Sequence, residues 1–334
     1  MADSMAPRAD PDAGAAPTPD PSTMPTMGPP SPTALRGRGE AGLRGSGGTE
    51  AAVPRRVRRG DLWRRLARNE LAVAGGLILA LVAVAAVFAP YLSPEDPLEM
   101  NPTLLLQPPS AEHWLGTDEF GRDILSRVIW GARISLYVGA ISVTIAVVAG
   151  VTLGLVAGYF GGLVDDLIAR VLDVVFAFPT ILLALGIVGM LGPSLTNTMI
   201  AIGIVYTPVY ARLARGTTLA VKERDFVEAA VVSGANSARI IARHILPNVA
   251  APLIVQTSLS LSLAILAVAS LSFLGLGTQP PDPSWGTMVN TGQRLIELSP
   301  WPVVFPGLAI VLAVLAFNLI GDGLRDALDP RLRA

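Results

Sequence analysis

The chain has 334 residues, of which 51% are hydrophobic and 15% are charged, and its formal net charge is −1. Such an apolar composition is typical of membrane proteins, and the near-zero net charge gives no indication of a nucleic-acid partner. The absence of cysteine excludes disulfides, thiolate metal sites and cysteine nucleophiles, and with two histidines a histidine-rich zinc site is not expected. The single lysine, Lys222, follows valine rather than glycine, so a phosphate-binding P-loop is excluded and ATP-driven work must fall to a partner.

Residues 1–54 are rich in proline, alanine, glycine, serine and aspartate, and hold almost no aromatic or branched apolar residues. Such a segment cannot bury enough apolar surface to offset the entropy cost of ordering it, so a disordered cytoplasmic tail is predicted. A dispensable extension is favoured over a tethering role. No apolar core follows the first basic residues, so the stretch does not read as a signal peptide.

The segment 55–70 contains seven arginines, and Leu62, Trp63 and Leu66 share one helical face. This pattern predicts a short basic helix lying on the inner leaflet, with the tryptophan at the level of the headgroups. The alternative is that these basic residues only orient the first transmembrane span. The two interpretations are compatible.

Six apolar runs follow, each near the ~20 residues that cross ~30 Å of hydrocarbon. They lie at 71–92, 134–159, 171–191, 195–211, 249–273 and 302–320. The sequence therefore predicts an all-α integral membrane protein with six transmembrane helices, a membrane domain at 71–325 and a C-terminal tail at 326–334. Pro179 is expected to bend the third helix, and Pro208 interrupts the fourth run.

The basic residues beside these runs are unequally distributed. With the amino terminus inside, seventeen arginine and lysine residues lie on the cytoplasmic side and four on the external side. Because short cytoplasmic loops carry the excess of basic residues, both termini and the loop 212–247 are predicted to be cytoplasmic.

The external loop at 93–133 is predicted to end in an amphipathic surface helix, because apolar residues at 124–129 oppose polar ones at helical spacing. The nearby acids have no histidine ligand set except His113. A solvated, capping role is therefore favoured over catalysis or metal binding. The residues assigned to the external face are Asp118, Gly121, Arg122, Asp123 and, in a later loop, Trp285. That later loop, at 271–286, is rich in glycine and proline and predicts a rigid non-helical connection.

The predicted spans contain no lysine, arginine, glutamate or histidine. Proton- and ion-coupled transporters carry such groups within the membrane, so this composition favours transport powered from outside the bilayer. Hydroxyl groups in the fifth span can line a weakly polar passage or serve helix packing in lipid, and packing is favoured for any single serine. The candidate passage residues are Pro179, Thr257, Ser258 and Ser262.

The cytoplasmic loop holds a polar stretch from 225 to 248. Asp225 followed by Glu228 predicts a capping box that opens a short helix, with Phe226, Ala229, Ala230 and Ser233 on one face. Gly234 can adopt the left-handed turn that ends this helix, and Asn236 or Ser237 can cap a second one. Pro247 lies where a further helix would begin. Spacing alone supports a docking surface and a merely structured loop equally.

Several of these segments resemble the permease subunits of ATP-binding-cassette (ABC) importers. Glu228-Ala229-Ala230, Gly234 and Leu246-Pro247 are similar to their EAA loop. Other segments resemble the second permease of the dipeptide/oligopeptide/nickel branch. They are the histidine and asparagine at 244 and 248, the LGTDxxGRD pattern at 115–123, and the stretches 271–286 and 321–331. The resemblance implies the type I permease fold, with a coupling helix at 225–233 that docks on a cytoplasmic ATPase. The coupling residues it implies are Asp225, Phe226, Glu228, Ala229, Ala230, Gly234, Leu246 and Pro247.

The resemblance also implies a function: a multi-pass subunit of a prokaryotic cell membrane that takes di- or oligopeptides into the cell without catalysing a reaction. Its expected partners are a second permease, two ATPases that bind ATP and magnesium, an external solute-binding protein and the lipid bilayer. No cofactor is expected in this chain, and no nucleic acid. Nickel or glutathione import is the alternative within the family. A stand-alone secondary transporter or channel, or a membrane enzyme, would require intramembrane charges or a nucleophile–base pair.

Overall fold

Helices make up nearly all the regular structure of the computed structural model, which describes residues 66–328. The predictions for 1–54, for most of 55–70 and for 329–334 fall outside the described residues. The helices are α1 (Glu70–Val87), α2 (Ala89–Leu92), α3 (Ile124–Phe160), α4 (Gly162–Phe176), α5 (Thr180–Leu191), α6 (Leu195–Lys222), α7 (Asp225–Val232), α8 (Ser237–Ile240), α9 (Leu246–Phe273), α10 (Trp285–Gln293) and α11 (Trp301–Leu328). A π-helical turn, Ile241–Ile245, joins α8 to α9.

The prediction of an all-α protein that crosses the membrane several times is confirmed. Four helical stretches are long and apolar enough to cross: α1, α3, the continuous helix Ser237–Phe273, and α11. The pair α4 and α5 gives a fifth if its two bent segments form one span. The fourth apolar run lies in α6. The polar residues of α6 make it less apolar than the helices counted as membrane-crossing. By length and composition the described residues thus provide four or five spans rather than six.

Prolines act differently in the third and fourth runs. α4 and α5 meet at an angle of 89°, and Pro179 occupies the N-cap position of α5, so the predicted bend is confirmed as a complete break. Pro208, which interrupts the fourth apolar run, lies inside the 28-residue helix α6 and does not break it. Membrane helices tolerate an internal proline where neighbouring groups re-satisfy the freed backbone.

The external amphipathic helix is also not a separate element. Ile124 is the first residue of α3, which runs for 37 residues into the membrane. The polar residues of its first turn, Ser126 and Arg127, are 0% and 6% exposed. The predicted helix is therefore confirmed, but its polar side packs against the preceding loop rather than facing water.

Glycines set the distance between α3 and α6. A Cβ atom added at Gly150 would lie 2.6 Å from the Cβ of Tyr210, and one added at Gly158 would lie 2.8 Å from the Cβ of Thr218. At Gly154 the corresponding neighbour is the Cβ of Ala214, at 2.7 Å. Residues four apart share one helical face, so the three glycines form a continuous strip on which α6 rests. Such small residues let helix backbones approach closely in lipid, where van der Waals packing drives association.

A second layer joins α1, α11 and α9. A Cβ at Gly75 of α1 would lie 2.7 Å from the Cβ of Leu319 in α11, so these helices also meet through a small residue. The Ser262 hydroxyl donates a hydrogen bond to the Asn318 side chain at 2.8 Å and links α9 to α11. The bundle is therefore held by small-residue contacts and by a partly buried hydrogen bond within the membrane region.

We predict that Gly154→Leu separates α3 from α6 and destabilises the subunit. The added side chain collides with the backbone of Ala211 as well as with Ala214, and overpacking of this kind costs about 1–3 kcal/mol or more. Thermal unfolding of the purified subunit in detergent measures the effect. Gly216→Leu, in α6 and with no atom within 4 Å of its added Cβ, is the matched control and should unfold like the wild type. Equal stability of the two variants would contradict the close packing.

Candidate functional site

The helix α7 begins one residue earlier than a capping box at Asp225 requires. Arg224 occupies the N-cap position, makes no side-chain capping bond, and accepts the Val227 N–H through its carbonyl at 2.8 Å. Asp225 is the first helical residue, so the predicted capping box is wrong. Asp225 and Glu228 both lie in the first turn, where negative charge stabilises a helix through its dipole.

The end of α7 follows the prediction. Gly234 has φ +77°, its N–H donates to the Val231 carbonyl at 2.9 Å, and the Ala235 N–H donates to the Ala230 carbonyl at 3.1 Å. This pair of bonds is a Schellman motif, which requires the left-handed conformation that glycine adopts without strain. The Asn236 side chain then accepts the Arg239 N–H at 2.9 Å and caps α8, as expected.

The residues predicted to share the small-residue face of α7 differ in their burial. Ala230 is half-buried and packs on the core, whereas Phe226, Ala229 and Ser233 are exposed. The anchor is a residue that the sequence interpretation missed, Val227, which is 2% exposed and belongs to the same core cluster as Ile240 and Ile245. The outward surface of α7, formed by Phe226, Glu228, Ala229 and Val232, is called here the α7 knob. It is apolar apart from Glu228, and its Val232 is 83% exposed.

The π-helical turn, which lies against α7, leads directly into the last two predicted coupling residues. Leu246 and Pro247 open α9, both are exposed, and the turn that precedes them lies against α7. Pro247 has no N–H for a helical bond to the residue four positions earlier, which accounts for a local departure from α-helical geometry here. The Asn248 side chain donates to the free His244 carbonyl at 2.6 Å.

The end of α6, from which α7 follows, is tied to its neighbours. Arg215 makes two hydrogen bonds to Asp165 of α4, at 2.5 and 2.6 Å. The Lys222 ammonium donates to the Tyr159 carbonyl near the end of α3 at 2.6 Å. These contacts join α6 to α4 and α3 at the end of the bundle where α7 follows.

On the other end of the bundle, the predicted external residues form a buried ion cluster. Asp118 binds Arg122 Nε at 2.7 Å and Arg127 Nε at 3.3 Å through Oδ2. Its Oδ1 accepts the backbone N–H of Arg122 at 3.0 Å. Asp118 and Arg122 are 4% and 6% exposed, so the predicted solvated role is wrong. The loop covers these groups, because Arg127 also donates to the Pro97 carbonyl at 2.8 Å. Burial, and then the charge of Asp118, raise the pKa of Glu119.

Asp123 caps α3, as predicted. Its Oδ2 accepts the Ser126 N–H at 2.7 Å and the Ser126 hydroxyl at 2.8 Å. His113 Nδ1 lies 3.4 Å from Asp123 and 3.5 Å from Glu95, whose pKa is raised by burial first and by the Asp123 charge in part. Within residues 66–328, no three acidic or histidine side chains are grouped so that they could hold a metal ion.

Gly121 and Trp285 hold this external region in shape. Gly121 has φ +72°, and a Cβ there would lie 2.8 Å from the Asn101 carbonyl carbon, so the turn admits only glycine. Trp285 is 1% exposed and its indole N–H donates to the Val128 carbonyl at 3.0 Å, which fixes the later loop to α3. That loop is non-helical only between α9 and α10. Trp285 itself begins α10, with Ser284 and Thr287 forming a capping box.

The candidate passage residues differ in burial and in their contacts. Ser258 and Ser262 are 6% and 1% exposed, and both hydroxyls are bonded within the chain, Ser258 to the Val255 carbonyl at 2.8 Å. These contacts favour the packing role for the two serines. Thr257 is half-buried and bonds the Leu253 carbonyl, and Pro179 lies exposed at the α4–α5 break.

Comparison with known proteins gives two family matches. Residues 150–334 match the family described as "Binding-protein-dependent transport system inner membrane component". Residues 59–109 match the "N-terminal TM domain of oligopeptide transport permease C". The second match begins in the basic segment and extends through α1 into the external loop.

Individual relatives cover most of the chain. The dipeptide transport system permease protein DppC of Alkalihalophilus pseudofirmus is 50% identical over 82% of this chain and 90% of its own. The di/tripeptide transport system permease protein DppC of Pseudomonas aeruginosa is 49% identical over 82% and 92%. The glutathione transport system permease protein GsiD of Pectobacterium atrosepticum is 47% identical over 82% and 91%. Among solved structures, a chain of the inward-facing MetNI methionine ABC transporter aligns with a TM-score of 0.51 at 16% identity, over 62% of this chain and 98% of its own, which shows a shared fold.

We predict that Asp118→Asn destabilises the external region by about 3–5 kcal/mol, because it leaves two buried arginines without their shared carboxylate. Asparagine has nearly the same volume as aspartate, so the loss of stability measures the effect of removing the charge. Protease cleavage within 93–123 in the purified subunit should become faster. Glu112→Gln, an exposed acid of the same loop, is the control and should change nothing. Equal protease resistance of both variants would show that the cluster contributes no stability.

Proposed function

Because this chain belongs to the binding-protein-dependent transport system inner membrane components, we propose that it moves short peptides into a prokaryotic cell. It is a transmembrane permease subunit of an ABC importer, and the hydrolysis of ATP is the work of its partner subunits. The observation that carries the peptide assignment is the identity of about half of all aligned residues with permeases named for dipeptides and tripeptides. Glutathione, itself a tripeptide, is the second candidate, supported by relatives at 46–47% identity.

In the proposed assembly, this subunit pairs with a second permease, and each permease rests on one of two cytoplasmic ATPases. An external binding protein delivers the peptide to the outer mouth between the permeases. We assign six crossings, to α1, α3, the bent pair α4–α5, α6, α9 and α11. The tight contact of α6 with the three glycines of α3 supports counting α6 among them.

We place both termini and the α6–α9 loop in the cytoplasm. The unequal distribution of basic residues in the sequence supports this orientation. The structure adds a physical argument. Two of the four external arginines, Arg122 and Arg127, are buried and paired with Asp118, so they contribute little free positive charge to that side.

We propose that the α7 knob is the surface that docks on an ATPase. An exposed apolar surface on a short helix, anchored from below by Val227, is suited to fill a groove in a soluble partner. Leu246 and Pro247 follow the π-helical turn that lies against α7, and we expect them to widen the contact. ATP favours the closed pair of ATPases, and the closure acts through α7 on α6, α3 and α4. Transport requires that ATP bind one of the two conformations better than the other.

The orientation is tested with single cysteines, since the chain has none of its own. Cysteine at the exposed Ala238, in α8, should react with a membrane-impermeant thiol reagent only after the cells are permeabilised. Cysteine at the exposed Glu112 should react in intact cells. Labelling of the position-238 variant in intact cells would reverse the topology.

The coupling is tested with Gly234→Leu. A left-handed conformation costs a side chain about 1–2 kcal/mol, and no atom lies within 4 Å of the added Cβ, so the subunit should stay folded. The bulky side chain and the backbone strain at the C-terminal end of α7 should weaken docking of the α7 knob on the ATPase. We expect normal abundance, reduced co-purification of the ATPases, and loss of substrate-stimulated ATP hydrolysis in proteoliposomes.

A matched control exists at the other end of α9. Gly275 has φ +78°, forms the same pair of turn bonds and also has no atom within 4 Å of an added Cβ. Gly275→Leu should carry a similar strain and still co-purify with the ATPases. Full ATP-driven uptake by Gly234→Leu, or equal loss of ATPase binding in both variants, would refute the docking assignment.

A further inference from the structure

A cavity of about 900 Å³ opens at the end of the bundle that the proposed orientation places outside. It lies between the segment 93–98 that follows α2, the part of α3 from Trp130 to Tyr137, and Asp282 and Pro283 of the α9–α10 loop. Binding sites for small molecules typically have volumes of about 300–1,000 Å³. Glu95 and Pro97, already met beside the buried ion cluster, belong to its wall, whereas the predicted coupling and passage residues do not.

One set of lining groups suits a cation. Glu95 and Asp96 come from the segment after α2, and Asp282 comes from the α9–α10 loop. The Glu95 side chain is 39% exposed, and Asp96 uses one oxygen to accept the Leu98 N–H at 2.8 Å. Asp282 forms no hydrogen bond or ion pair with any side chain or backbone group in 66–328. Three carboxylates from two separate segments therefore face a space that an ammonium group can enter.

A second set of lining groups, on α3, donates hydrogen bonds. The indole Nε1–H of Trp130 is buried and has no hydrogen-bond partner within the described part of the chain. Arg133 is exposed, and its guanidinium lies 5.7 Å from the centre of the Trp130 ring. A buried donor without an acceptor is unfavourable, and a ligand carbonyl or carboxylate would satisfy it. Tyr137, Leu98 and four prolines supply the apolar remainder of the wall.

We propose that this cavity binds a short peptide with free termini, as a recognition site of the permease itself on the outer face. The peptide's ammonium group pairs with Glu95, Asp96 and Asp282, and its carbonyl or carboxylate oxygens accept from Trp130 Nε1 and Arg133. This inference rests on the proposed function, because a zwitterionic peptide is the substrate class that carries both groups in one small molecule.

The site is joined to the membrane helices through its own backbone. The Glu95 N–H donates to the Ser126 hydroxyl at 3.1 Å, and this hydroxyl in turn donates to Asp123, the N-cap of α3. Arg133 and Trp130 belong to α3 itself. A peptide held between the two sets of groups therefore contacts the helix that packs on α6, which leads to the α7 knob.

The test uses the purified complex of both permeases and the ATPases in nanodiscs, without binding protein and without ATP. Titration calorimetry with dialanine should show saturable binding. N-acetyl-dialanine, which lacks the ammonium group, should bind about tenfold more weakly or not at all. The double variant Glu95→Gln/Asp282→Asn should lose affinity for dialanine by about tenfold or more, and Trp130→Phe, which removes only the N–H donor and a small part of the ring, should lose less. Glu112→Gln lies outside the cavity and should bind like the wild type.

ATP-driven uptake with binding protein separates this inference from the proposed function. Normal dialanine uptake without saturable binding to the complex would refute the cavity site and leave the proposed function intact. Dialanine binding that the double variant does not weaken would have the same meaning. Failure of the complete system to take up any short peptide would refute the function itself. Loss of binding-protein docking in the double variant, with no dialanine binding to the wild type, would assign the cavity to the binding protein and overturn the proposal.

Discussion

The close contact of α3 with α6 is the constraint on which the other features depend. Gly150, Gly154 and Gly158 present no side chains to α6, so the two backbones meet directly and neither helix can slide without a clash. Since lipid offers no hydrophobic driving force between helices, this steric fit takes the place that a hydrophobic core has in a soluble protein. Polar residues of α6 can therefore lie within the bundle.

The contact between α3 and α6 connects the two ends of the bundle. α3 begins at the end of the bundle that the proposed orientation places outside, where Asp123 caps it and the loop 93–123 folds over its first turn. α6 ends on the opposite side, where Arg215 and Lys222 tie it to α4 and α3 and where α7 follows. In the proposed mechanism, a force on α7 is passed to α6, and through the glycine strip to α3. The proposed peptide cavity and the proposed ATPase surface thus act on the same pair of helices.

Patterns that depend on local chemistry were readable from the sequence. Gly234 and Asn236 end and cap helices as predicted, because a left-handed glycine and a capping amide need only their neighbours in the chain. Features that depend on distant partners were not. Asp118 and Arg122 read as solvated charges, because nothing in their spacing shows that the loop buries them beside Arg127. The glycine spacing of α3 was visible in the sequence, but its meaning depends on the helix that it meets. The proposed peptide cavity joins three separate segments, so no local sequence pattern indicates it.

The most direct test of the account is a cross-link from the α7 knob. Cysteine in place of Val232, which is 83% exposed, would be introduced into the complete importer and treated with a short thiol–amine cross-linker. A covalent product of this subunit with an ATPase is expected, in a yield that changes when ATP is bound. Cysteine in place of Glu112, on the opposite side, should give no such product. A cross-link from position 232 to the external binding protein, or none to the ATPase in an assembled and active complex, would contradict it.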